Sequence, residues 1–245
     1  MKKKNIALRI ASALMTACLL TTCVISGTFA KYVTEDSAND SARVAKWGVK
    51  VAVDGLDGNT INDDLGFFKT AYAKKAEANH EIATTVAADV EVVAPGTAGE
   101  GFAAMIAGQP EVAVNVAIEA DLKLENWMVE STYYCPIEIT VGSTTLKGTA
   151  YNNAEAFEAA VEAAIIKALI TDATVIVDGS VSKSNKNYNP NESFGATDAV
   201  DLKVSWAWGF DGNDDAKDTA LGDAAAAGNA ATIEFSLKVT VTQLD

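Results

Sequence analysis

The chain has 245 residues, with 33 acidic side chains against 19 basic ones and one histidine, for a formal net charge of −14. That balance argues against nucleic acid as a partner, because phosphate recognition needs Lys and Arg. It also repels anionic lipid while favouring solubility and loose cation binding. A chain of this length can bury one full core, or a core and a small satellite.

Lys2, Lys3, Lys4 and Arg9 precede an apolar run from Ile10 to Ile25 that ends at Thr28-Phe29-Ala30. This is the order of a secretory signal peptide over residues 1–30, with cleavage expected between Ala30 and Lys31. The run is short for a membrane span and is interrupted by Thr16, Thr21 and Thr22, so no transmembrane segment is expected in the mature chain. Every acidic residue lies beyond it, so the processed chain is more acidic still. Cys18 and Cys23 leave with the signal, and Cys135 alone cannot form an internal disulfide. The fold must then be held by its core, which fits reducing surroundings, and Cys135 is expected to act as a small buried hydrophobe.

Residues 31–42 are polar, with nothing to bury, and read as a flexible N-terminal leader. Residues 43–245 read as one β-sandwich domain. Arg43 to Val53 is the first expected strand, with Trp47, Val49, Val51 and Val53 on one side. Asp54-Gly55 and Asp57-Gly58-Asn59 form turns, and Leu65 to Glu81 has mixed spacing that suits a short helix or long loop. His80 lies at its polar end. Ile82 to Val93 alternates again, and glycines bracket a short strand with Phe102 and Ile106. The clearest internal strand runs from Val112 to Leu124. Ile137, Ile139 and Val141 make another, closed by Gly142-Ser143 as a hairpin turn.

One helix is expected, Asn152 to Ile170, with Asn152 as cap, Glu155 three residues on, and an apolar stripe of Phe157, Val161, Ala164, Ile165, Ala168 and Leu169. Glu155, Glu158 and Glu162 share a surface, which near a helix N-terminus suits dipole matching and solubility. Thr174 to Asp178 is a short strand, and Gly179 to Thr197 reads as an exposed loop. Val200, Leu202, Val204, Trp206, Trp208 and Phe210 form a strand whose rings, with Phe235, are the expected core aromatics. Asp211 to Asp223 reads as an acidic loop. Ala231 to Gln243 then alternates through Ile233, Phe235, Leu237, Val239 and Val241, the pattern of a long half-buried strand.

No residue set reads as an active site. A solitary histidine cannot build the two-histidine zinc site of a metallopeptidase, and no glycine-rich loop has the strand-to-helix setting of a phosphate site. Calcium is the metal the sequence suits best: Asp211, Asn213 and Asp215 offer oxygens at alternate positions, with Asp218 as a further ligand. Ala216 and Gly222 stand where a calcium loop usually has its turn glycine and closing glutamate. No other cofactor is expected.

Gly27-Thr28-Phe29-Ala30, then Lys31-Tyr32-Val33-Thr34-Glu35-Asp36, then Ala42-Arg43-Val44-Ala45-Lys46-Trp47, resembles proteins handled by the specialised signal peptidase of Gram-positive biofilm operons. Those include the TasA and camelysin fibre proteins. Ala94-Pro95-Gly96-Thr97-Ala98-Gly99 with Phe102, and Glu111-Val112-Ala113-Val114, is similar to a recurring stretch of their jelly-roll domain. Trp206-Ala207-Trp208-Gly209-Phe210 with Asp218-Thr219-Ala220-Leu221-Gly222 resembles a late motif of clostridial relatives. The resemblance implies a jelly-roll-like sandwich and a secreted matrix subunit whose freed N-terminal strand enters the sheet of the next copy. Camelysin-like members have also been classed as metallopeptidases, but no ligand set for that activity is visible here.

The expected function is therefore a non-enzymatic subunit of extracellular matrix fibres. Its partners are copies of itself, the signal peptidase during export, and a cell-wall or matrix component. The self-assembly strand is drawn from Tyr32, Val33, Trp47, Val49, Val51 and Val53, since a sandwich edge accepts an added strand. Two alternatives stand beside it. One is a monomeric surface module binding glycan or protein through the Gly179 to Thr197 loop. The other is a camelysin-like metalloprotease.

Overall fold

A computed structural model describes residues 43–55, 67–68, 72–73, 92–195, 199–210 and 214–245. The chain divides into two units, Met1–Val44 and Ala45–Asp245, and all the regular structure among the described residues belongs to the second. The expected signal peptide, its cleavage point at Ala30 and Lys31, the leader with Tyr32 and Val33, His80, and most of the expected strand from Ile82 lie outside the described residues.

Among the described residues, two antiparallel sheets and two helices share one core, a mixed architecture in place of the expected all-β one with a single helix. The first sheet is built from β1 (Lys50–Gly55), β3 (Thr97–Ala107), β11 (Ala199–Trp208), β7 (Ile137–Val141) and β8 (Thr144–Lys147) in that spatial order, with the short β2 (Tyr72–Ala73) also on β3. The second runs β12 (Thr232–Gln243), β4 (Val114–Glu125), β10 (Val181–Tyr188), β9 (Ile176–Asp178). A small ribbon, β5 (Met128–Val129) with β6 (Thr132–Tyr133), stands apart from both.

Alternation explains the layering. Along β4 every even-numbered side chain from Val114 to Leu124 is buried, and the odd-numbered ones are exposed or half-exposed. Phe102 on β3 stacks on Phe235 of β12 at 5.2 Å between ring centres, so the sheets meet through aromatic rings. Phe67 packs against both, and its carbonyl accepts the indole N–H of buried Trp206 at 2.7 Å.

Gly142-Ser143 closes the β7–β8 hairpin as expected. The strand with Phe102 and Ile106 is longer than expected, because it pairs on one side with β11 and on the other with β1 and β2. The first strand is shorter. Gly48 has φ +59, and extended pairing begins only at Lys50.

Helix α1 (Ala154–Leu169) is capped by Asn153, whose side chain accepts the Ala156 N–H at 2.8 Å, so the cap lies one residue beyond the expected Asn152. Its main contact is β4, with further contacts to strands of both sheets. The buried face holds Phe157, Val161, Ile165, Ile166 and Leu169 together with Glu158 and Glu162, while Ala168 is exposed.

Two expected loops contain regular structure. Gly179 to Thr197 contains β10, whose inward row is Ser182, Ser184 and Tyr188. Serine hides an inward face from a hydrophobic pattern, yet both hydroxyls are satisfied: Ser182 donates to Glu162 at 2.5 Å and Ser184 to the Thr174 carbonyl at 2.9 Å. The acidic Asp211 to Asp223 stretch contains most of helix α2 (Asp215–Ala226), started by Asp214, whose carboxylate accepts the Ala216 and Lys217 N–H groups.

Candidate assembly surface

A free sheet edge is a row of unpaired backbone donors and acceptors, so edges are where a second chain can add. Among the described residues the sheets end at β1, β8, β9 and β12. Strand β12 is the longest of these. It pairs with β4 from Thr232↔Glu125 to Gln243↔Val114 without a shift in register. Ile233, Phe235, Leu237, Val239 and Val241 are only half-buried against the core, and the intervening side chains are exposed.

Of the residues expected to form an assembly strand, Val51 and Val53 lie in β1 at another edge and Trp47 and Val49 in the segment before it, while Tyr32 and Val33 lie outside the described residues. Strand β1 pairs with β3 of its own chain. Val49 and Val53 pack partly against the core, while Val51 is exposed. Trp47 is exposed in the segment before β1, which is tethered where Lys46 and Glu111 exchange backbone and carboxylate hydrogen bonds at 2.8 and 2.9 Å. Of the expected core rings, Trp206 and Trp208 are buried and Phe235 is half-buried. Phe210 lies past the end of β11 and is half-buried.

Asp211 and Asn213 lie outside the described residues. Asp215 stands exposed in the first turn of α2. Asp218 already accepts the Tyr134 hydroxyl at 2.7 Å and the Trp208 indole N–H at 3.4 Å, and burial raises its carboxyl above the usual aspartate range. Its chemistry in this structure is to pin α2 to the core. Among the described residues no group of three or more His, Cys, Asp or Glu side chains is placed to hold a metal ion.

A cavity of about 480 Å³ opens beside the β5–β6 ribbon and the start of α1, lined by Trp127, Met128, Tyr133 and Asn153 among others. The Tyr133 hydroxyl is buried without a well-formed hydrogen bond, and burial pushes its pKa upward. The neighbouring Cys135 thiol is fully buried and pushed up to about 12 by that burial, so it is protonated and inert at neutral pH.

Sequence reasoning missed what Glu158 and Glu162 do. Both are buried, with Oε1 atoms that accept the backbone N–H groups of Leu124 at 2.6 Å and Leu122 at 2.7 Å. Burial raises both carboxyls above the usual glutamate value. The available signal was their position, each directly following a stripe residue, Phe157 and Val161.

Comparison of the chain with known protein families, with curated proteins and with solved structures finds no match.

Proposed function

We propose that this chain is a secreted, non-enzymatic structural subunit of extracellular matrix fibres, built on a jelly-roll-like sandwich and assembling by edge-strand addition. In this reading the specialised signal peptidase frees Lys31, and the leader with Tyr32 and Val33 pairs with the sheet of a neighbouring copy. The observation that carries the reading is that, among the described residues, the sheets end at β1, β8, β9 and β12 with no further strand added, so a donated strand has edges to join. The resemblance of the N-terminal segments to fibre proteins supports it from the sequence side.

Electron microscopy and light scattering of protein beginning at Lys31, beside protein lacking residues 31–42, test the proposal. Filaments from the first and small particles from the second are expected. Small particles from both, across pH and calcium concentration, would overturn it.

A monomeric binding module is the second reading, favoured by the cavity beside Trp127 and Met128 in place of the expected loop, which contains strand β10. Titration with soluble oligosaccharides, followed by tryptophan fluorescence, distinguishes it: saturable quenching in a monomeric sample supports the module.

A further inference from the structure

The backbone of β12 has a definite polarity. The Leu244 N–H donates to the Ala113 carbonyl at 2.9 Å, in step with the β12–β4 register, so even-numbered residues turn their backbone groups toward β4. The odd-numbered residues Ile233, Phe235, Leu237, Val239 and Val241 therefore turn theirs to the side on which no strand among the described residues pairs. Edge strands are commonly blunted by a proline, a bulge or an inward-pointing charge. Strand β12 has no proline and no register shift, and its core-facing row is wholly apolar.

We propose that β12 pairs antiparallel with β12 of a second copy about a twofold axis at Ser236, joining two four-stranded sheets into one. A twofold edge contact must be self-complementary, and the sequence of β12 is so in this register. Ile233 meets the partner's Val239, Phe235 meets the partner's Leu237, and Thr232 meets the partner's Thr240. The odd-numbered pairs exchange backbone hydrogen bonds. The even-numbered pairs fall at the closer, non-hydrogen-bonded positions, where side chains interact most strongly.

Charge singles out the register. Glu234 faces the partner's Lys238, and Lys238 faces the partner's Glu234. Centring the axis on Phe235 or Leu237 would leave both charges opposite Ser or Thr. Centring it on Glu234 or Lys238 would set like charges face to face. Within one chain Lys183 and Lys238 flank Glu119, and Glu234 lies beside Lys123. Across the axis the row then reads Lys183, Glu119, Lys238, the partner's Glu234, the partner's Lys123, alternating in sign throughout.

This contact uses β12 and leaves the edges at β1, β8 and β9 to the leader, so it goes beyond the fibre reading and fails separately from it. Sedimentation equilibrium of protein lacking residues through Ala42, which the fibre reading leaves unpolymerised, is expected to show a dimer at about 0.15 M salt. Glu234→Lys or Lys238→Glu alone turns both attractive pairs repulsive and is expected to weaken the dimer about tenfold or more. An equimolar mixture of those two variants, and the double variant E234K/K238E, are each expected to restore it.

Hydrogen exchange supplies a measurement that needs no variant. Amides of Ile233, Phe235, Leu237 and Val239 are expected to gain protection as protein concentration rises, whereas those of Glu234 and Lys238 are protected at every concentration. A wild-type monomer up to about 1 mM, exchange independent of concentration, or a mixture that fails to recover would overturn the proposal. Loss of filaments on leader removal with the dimer intact would separate the two contacts.

Discussion

Glu162 meets the backbone of Leu122 at the point where β10 stops pairing with β4. The last residue pair of those strands is Ser182↔Ala120, and the next N–H on that side of β4, at Leu122, donates to the Glu162 carboxylate at 2.7 Å. Leu124 is served in the same way by Glu158 at 2.6 Å. Residues four apart on a helix are spaced about 6 Å along its axis, and residues two apart on a strand about 6.8 Å. Helix α1 thus presents acceptors at nearly the spacing of a missing strand.

Removing that substitute exposes its role. Glu162→Ala strands both the Leu122 N–H and the Ser182 hydroxyl inside the protein, and a loss of about 2–4 kcal/mol is expected. Glu162→Gln keeps an acceptor for Leu122 and offers a donor to Ser182, so most of the stability should remain. Urea unfolding of the three proteins at neutral pH measures the difference. Equal losses for Ala and Gln would mean that the charge, and not the hydrogen bonds, matters.

The same pair predicts a pH dependence. Burial raises the Glu158 and Glu162 carboxyls above 4.5, so the folded protein keeps these protons to higher pH than the unfolded chain does. Their linked contribution is full below the ordinary glutamate range and is lost as pH rises through the raised values. The urea midpoint should therefore be higher near about pH 5 than near about pH 8. Asp218, raised for the same reason, acts in the same direction. Glu162→Gln should flatten its share of the slope, which separates this effect from general relief of negative charge.

The helix cap offers a local test. Asn153, and not Asn152, accepts the Ala156 N–H, so Asn153→Ala should cost about 1 kcal/mol and Asn152→Ala much less. Thermal unfolding of both variants reads this directly, and equal shifts would place the cap wrongly.

Legibility followed the source of each strand's inward face. Strands β4 and β12 carry Val, Ile, Leu and Phe inward, and their period of two is plain in the sequence. Strand β10 turns Ser182 and Ser184 inward, where hydrogen bonds to Glu162 and Thr174 replace apolar burial, and nothing local announces them. Helix α2 buries only Leu221, so its acidic run looks like a loop until Asp214 is seen capping it. The reach of Glu162 to Leu122 spans forty positions in sequence and depends on where β10 ends. The edge at β12 was visible as a strand but not as an edge, because its pairing partner on one side is a fact of topology.

Two glycines give opposite expectations for one chemical change. Between Val204↔Phe102 and Trp206↔Gly99 the pairing of β11 with β3 shifts register, and Gly101 lies at that irregularity with φ +71. An added Cβ there would fall 2.0 Å from the Val204 carbonyl oxygen, and that atom is fixed within the sheet. Left-handed strain of about 1–2 kcal/mol adds to this clash, so Gly101→Ala should destabilise by about 3 kcal/mol or more. Gly222 lies inside α2 with an ordinary φ and open space around its would-be Cβ. Gly222→Ala removes backbone freedom from the unfolded chain and should stabilise by about 0.5–1 kcal/mol. Melting temperatures that move in opposite directions for the two variants would bear out both placements. A tolerated Gly101→Ala would mean that β3 and β11 pair without the irregularity at that point.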